Sequence, residues 1–187
     1  MKEQMNGAKL ARGPSVGRDL DRAELRQLVS EVAADRHAWE PLVRFDTSER
    51  HFEGLWRDSH VDVWVISWVN GNDTGFHDHD ISRGAVAVVQ GEVIEERFVL
   101  GGPPRPLRHR AGEVFDFDAS HVHRMRQESP EHAVTIHAYS PPLWRMGTYM
   151  STPDGELRRE SISYMEELRP APVNEGFWRA TPRRRSS

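Results

Sequence analysis

The chain has 187 residues, a net charge of −4 and a sequence pI of about 6.2, so it offers neither nucleic acid nor an anionic membrane a general electrostatic attraction. It contains no cysteine, which excludes disulfides, thiolate ligands and a cysteine nucleophile and leaves histidine as the nitrogen supply for any metal. No apolar run approaches the ~20 residues that cross a bilayer, and the N-terminus shows no signal-peptide core, so a soluble, cytoplasmic, monomeric protein of one domain is expected.

Residues 1–18 mix glycine, lysine and arginine without hydrophobic periodicity, and a flexible segment is expected there. One domain over 19–170 follows, then a second flexible segment over 171–187. The closing Arg183-Arg-Arg-Ser-Ser lacks interleaved aromatics, so it reads as a solvated tail and not as a nucleic-acid arm. Leu25, Leu28, Val29, Val32 and Ala33 fall on one face of a helix that Asp21 and Glu24 can open as a capping box and Pro41 helps to end. From about residue 61 the period changes to that of strands: Val61–Trp68, Gly84–Val89, Val93–Val99, Val114–Phe117 and Ala133–Tyr139. Gln90-Gly91-Glu92 lies between two of these runs and reads as a hairpin turn. Short strands separated by glycine turns imply a mainly β, single-domain barrel with the N-terminal helices outside it.

Chemistry concentrates in histidines. In Gly71-Asn-Asp-Thr-Gly-Phe-His77-Asp-His79 the two imidazoles are two residues apart, so on an extended backbone both face one side and can grip one ion. The spacing G-x5-H-x-H is the first half of the cupin metal signature, in which a glutamate ligand commonly follows by four or five residues. Arg83 and Gly84 occupy those positions, so any metal site here is expected to use histidine alone. A second pair, His121 and His123, follows the strand at Val114–Phe117, and either could supply a third ligand. Parity does not choose between them. Thr135, His137 and Tyr139 alternate along one strand and therefore share a face. Trp56, Trp64 and Trp68 read as core or pocket wall.

From about Trp39 to Tyr149 the sequence resembles the cysteine dioxygenase (thiol dioxygenase) family of cupins. The residues that carry the likeness are His77-Asp-His79, Val122-His123-Arg124-Met125, Leu55-Trp-Arg57 and, most specifically, the block from Ala133 through His137-Ala-Tyr139-Ser-Pro-Pro142. The resemblance implies a jelly-roll cupin barrel and an Fe(II) held by His77, His79 and His123, with His121 either just behind the ligands or on the surface. It also implies that Thr135, His137 and Tyr139 form a relay matching the family's serine, histidine and tyrosine. Arg57 is taken to capture the substrate carboxylate, for which a guanidinium's paired donors are suited. The implied reaction is oxidation of L-cysteine by O2 to the sulfinate. Alternatives are a dioxygenase of another small thiol, either 3-mercaptopropionate or a thiol of specialised metabolism, and a non-catalytic cupin that binds a metal or small ligand. One departure is definite: Gly84 stands where some members carry the cysteine that joins the tyrosine through a thioether, so this chain cannot form that link.

Overall fold

The computed structural model describes residues 17–46, 50–99, 102–151 and 157–163. Most of the expected end segment 1–18, and all of 171–187, lie outside the described residues. Helix α1 (Arg22–Ala34) begins with the expected capping box: Glu24 N–H donates to Asp21 Oδ1 at 2.9 Å, and Asp21 N–H donates to Glu24 Oε2 at 2.8 Å. It ends earlier than Pro41 suggested. Asp35 leaves helical geometry, a short α2 (Arg36–Trp39) follows, and Pro41 lies within a 3-10 turn over Glu40–Leu42.

Among the described residues eleven strands follow: β1 (His51–Arg57), β2 (Asp62–Trp68), β3 (Phe76–Asp78), β4 (Arg83–Gln90), β5 (Glu92–Arg97), β6 (Arg105–Arg110), β7 (Val114–Phe117), β8 (His123–Arg126), β9 (Ala133–Ser140), β10 (Arg145–Ser151) and β11 (Leu157–Ser163). They form two antiparallel sheets, ordered β1-β2-β9-β4-β7 and β11-β10-β3-β8-β5-β6, that pack face to face as a jelly roll without closing into a continuous barrel. The expected hairpin at Gln90-Gly91-Glu92 is not one. Strand β4 pairs with β7 and β9, while β5 pairs with β6 and β8, so this turn carries the chain from one sheet to the other. Gly91 has φ of +65°, and a Cβ there would collide with the His132 carbonyl, which is why glycine stands at the crossing.

Strand parity separates two cores. On the outer side of the five-stranded sheet, Val63, Val65, Val134, Ile136 and Ala138 pack against Leu25, Val29 and Val32 of α1. Fully burying each such side chain contributes roughly 1.5–3 kcal/mol, which holds the helix on the sheet. On the inner side, Trp64, Val86 and Phe117 meet Val93, Met125 and Met146 from the opposing sheet. Strands β2 and β9 are buried on both faces, which accounts for their long apolar runs. The inward phase of β9 carries Thr135, His137 and Tyr139, all buried.

Candidate metal centre and adjoining cavity

His77 lies on β3, His79 one residue beyond its end, and His123 at the start of β8, where it is the direct cross-strand partner of His77. One ring nitrogen from each of the three lies within 4.8 Å of the others, and all three residues are buried. Asp78, between the two histidines in sequence, points the opposite way. Its carboxylate accepts from both Arg159 Nε (2.7 Å) and Nη2 (2.8 Å), from the Tyr149 hydroxyl at 2.7 Å and from Gly147 N–H at 3.1 Å. Those bonds tie β3 to β10 and β11 and thereby set the direction in which His77 and His79 project.

The hydrogen bonds of the triad suit a metal ion. His77 Nδ1 lies 3.1 Å from the Gly75 carbonyl and His123 Nδ1 lies 3.0 Å from Glu95 Oε1, contacts that each put a proton on Nδ1 and, in the neutral ring, the lone pair on Nε2. Neither ring nitrogen of His79 has a hydrogen-bond partner, although the residue is only 1% exposed. Burying such a group without a partner is costly, and an ion bound by the three imidazoles would satisfy it. Burial, reinforced by the neighbouring imidazoles, holds His79 well below its ordinary pKa, and burial also lowers His123 despite the opposing pull of Glu95. His79 and His123 are thus favoured in the neutral form that ligates metals.

Beside the triad is a cavity of about 490 Å3, open mouth included, with apolar walls from Trp64, Ile66, Trp68, Met125, Leu143 and Met146. Its polar lining is Arg50, Thr74, His77, His123, His137 and Tyr139. Along β9, Thr135 Oγ1 is 2.8 Å from His137 Nε2, and His137 Nδ1 is 3.0 Å from the Tyr139 hydroxyl. Trp68 Nε1 donates to Thr135 Oγ1 at 2.8 Å, anchoring the far end of this line. Burial, and next to it the charge of Arg50, pushes His137 down to about 3, so its imidazole is neutral near pH 7.

The structure separates the two arginines that bracket β1. Arg57 is not among the cavity-lining residues: Nη1 pairs with the buried Asp62 carboxylate at 2.9 Å, Nη2 donates to the Leu143 carbonyl at 3.2 Å, and the guanidinium lies over Trp144. Burial raises Asp62 to about 6 in spite of that partner. Arg50, 5% exposed, lines the cavity with its guanidinium over the Trp68 ring. His121 is not in the triad; its Nε2 lies 2.8 Å from Glu95 Oε1. At Gly84 a Cβ would collide with the Phe117 ring, which stacks on His79 at 4.5 Å, so an aromatic side chain fills the space beside Tyr139. Sequence reasoning passed over Arg50, Glu95 and Asp78.

A two-sheet jelly roll with a buried histidine triad facing a small cavity defines a cupin with a site able to hold a metal ion. Residues 16–152 match the family model for cysteine dioxygenase type I, and the chain belongs to that family. Among solved structures it is similar to an uncharacterized conserved protein with a double-stranded β-helix domain from Klebsiella pneumoniae, at 20% identity and a TM-score of 0.48 over 55% of this chain and 80% of that one. It is also similar to a cupin superfamily protein from Desulfitobacterium hafniense, at 11% identity and a TM-score of 0.46 over 55% of this chain and 86% of that one.

Proposed function

We propose that this chain is a non-haem Fe(II) thiol dioxygenase that oxidises L-cysteine with O2 to cysteine sulfinate. The observation that carries the reading is the combination, around one cavity, of three buried imidazoles without a carboxylate ligand, a buried arginine and a tyrosine held by a histidine. Both oxygen atoms of O2 end on sulfur, so the reaction needs no external reductant. Fe(II) held by His77, His79 and His123 would supply a redox-active Lewis acid at which thiolate and O2 meet.

The protein's own groups do the rest. We assign the substrate carboxylate to Arg50 and not to Arg57, through paired, charge-assisted hydrogen bonds, because Arg50 lines the cavity and Arg57 does not. Trp64, Ile66, Leu143 and Met146 exclude water from the thiol. Two proton arrangements fit the Thr135–His137–Tyr139 line: with Nδ1 protonated, His137 donates to the tyrosine oxygen, and in the other tautomer it accepts from the hydroxyl. Both arrangements keep the imidazole neutral and hold the Tyr139 hydroxyl in a fixed direction at the cavity. That is the role we assign to the relay.

The experiment is oxygen consumption by the iron-loaded protein against a panel of L-cysteine, 3-mercaptopropionate and cysteamine, with the product identified by mass. Stoichiometric sulfinate from cysteine supports the reading. A preference for 3-mercaptopropionate moves the substrate within the same chemistry, and iron binding without thiol-dependent oxygen uptake overturns the enzymatic role.

A further inference from the structure

The ligand set lacks a carboxylate, yet one lies a single imidazole away from it. Glu95 on β5 has a fully buried side chain, and each of its oxygens meets two nitrogen groups. Oε1 is 3.0 Å from His123 Nδ1 and 2.8 Å from His121 Nε2; Oε2 is 3.1 Å from Arg97 Nε and 3.3 Å from His109 Nε2. Four partners from three strands and a loop leave this carboxylate no freedom to rotate. The cross-strand register builds the arrangement, since Glu95 stands opposite Met125 and Arg97 opposite His123. On the far side, His109 stacks on Phe115 at 4.0 Å and His121 stacks on Phe117 at 5.6 Å, so the partners are themselves held by packing.

We propose that Glu95 is a positioning residue of the metal centre: it holds His123 in the tautomer and orientation that present Nε2 to the ion, and supplies from behind that ring the negative charge the three ligands lack. The inference rests on the three-histidine site binding a metal, though not on which thiol is oxidised. A carboxylate that accepts the distal N–H of a ligating imidazole raises the ring's basicity and fixes its plane, and loss of such a partner typically weakens metal binding about 10- to 100-fold. Arg97 and His109 keep Oε2 occupied, so Oε1 stays directed at His121 and His123.

The test is Co(II) titration of the full-length metal-free protein, followed by calorimetry and by the visible absorption of the bound ion. Glu95→Gln keeps the shape and one oxygen acceptor but removes the charge; about 10- to 100-fold weaker Co(II) binding is expected, with a shifted absorption spectrum. Glu92→Gln, on the same strand and paired with Arg108 and Arg110, should behave as wild type. If Glu95→Gln does not fold, Glu95→Asp carries the test, because it keeps the charge and withdraws it from His123 by one methylene, and weaker binding is again expected. A folded variant with wild-type affinity and spectrum overturns the inference while leaving the metal centre in place. Wild-type protein that takes up no Co(II) overturns both.

Discussion

Replacing Arg50 and Arg57 separately distinguishes a residue that reads the substrate from one that supports the wall around it. A charge-assisted hydrogen bond contributes roughly 1.5–3 kcal/mol, so Arg50→Ala should lower kcat/KM for cysteine by about 10- to 150-fold. Cysteamine has no carboxylate, and its slower turnover should change little. Arg57→Ala should act on stability instead, because it strips the partner from Asp62, whose side chain is 1% exposed. Its cost should fall short of the about 3–5 kcal/mol seen on breaking fully buried pairs, since Asp62, already raised to about 6, can take up a proton. The assay is initial oxygen uptake with both thiols, run below the melting temperature of each variant. Selective loss of cysteine turnover in Arg57→Ala, with Arg50→Ala unaffected, would refute the assignment. Equal losses for both thiols in Arg50→Ala would make it a support for Trp68 and not a carboxylate anchor.

Alanine at His77, His79 or His123 should abolish iron retention measured by elemental analysis, while His121→Ala should keep most of the iron because His121 stands outside the triad, bonded to Glu95 and packed edge-on against His123. Tyr139→Phe should retain iron and slow turnover by roughly 10²–10⁴, the span of a positioned proton donor or acceptor, and wild-type turnover would remove Tyr139 from the mechanism. Trp68→Phe deletes the N–H that anchors Thr135 and should slow turnover with unchanged iron content. Acid should destabilise the metal-free protein: His137 is depressed to about 3, with His79 and His123 also depressed, so their contribution is complete above the ordinary value of 6.5 and is lost as pH falls toward their folded values. Asp62, raised to about 6, opposes this below that pH, but it is one group against three; a melting temperature that stays flat or rises below pH 6.5 would contradict the burial argument.

What could be read from the sequence was what local geometry determines. Strands β2, β4 and β9 announced themselves because burial on both faces leaves long apolar runs. Strand β3 has three residues, too few for a period, and β6 has mostly exposed side chains, so neither carried a signal. The turn at Gly91 was recognisable as a turn, yet nothing local states which sheet the next strand will join. In the site, the shared face of Thr135, His137 and Tyr139 followed from alternation alone. The arginine did not. A bulge between Gly54 and Trp56 shifts the register of β1, so spacing along that strand cannot tell which end faces the cavity. Glu95 did leave a trace: it shares its phase with Val93, a core residue, and an acidic side chain on the buried phase of a strand calls for partners.

The two sheets divide the labour. His77 and His123 belong to the six-stranded sheet, with His79 just beyond β3, and Asp78 and Glu95 fix their directions from within that same sheet. Trp64, Trp68, His137 and Tyr139 belong to the five-stranded sheet, and Arg50 sits at the mouth of its first strand. The two halves of the site meet across the inner core, where Phe117 packs against both His79 and Tyr139. Where some relatives carry a cysteine to tether the tyrosine, this chain has Gly84 with the Phe117 ring packed over it, so apolar contact must do what a covalent bond does elsewhere. Packing of this kind resists small displacements without fixing a bond length, and the cavity is walled from both sheets, by Trp64, Ile66 and Trp68 on one side and by Met125 and Met146 on the other. Differences in thiol preference among chains built this way should accordingly arise from the cavity walls on both sheets, and differences in metal affinity from the hydrogen bonds behind the three histidines.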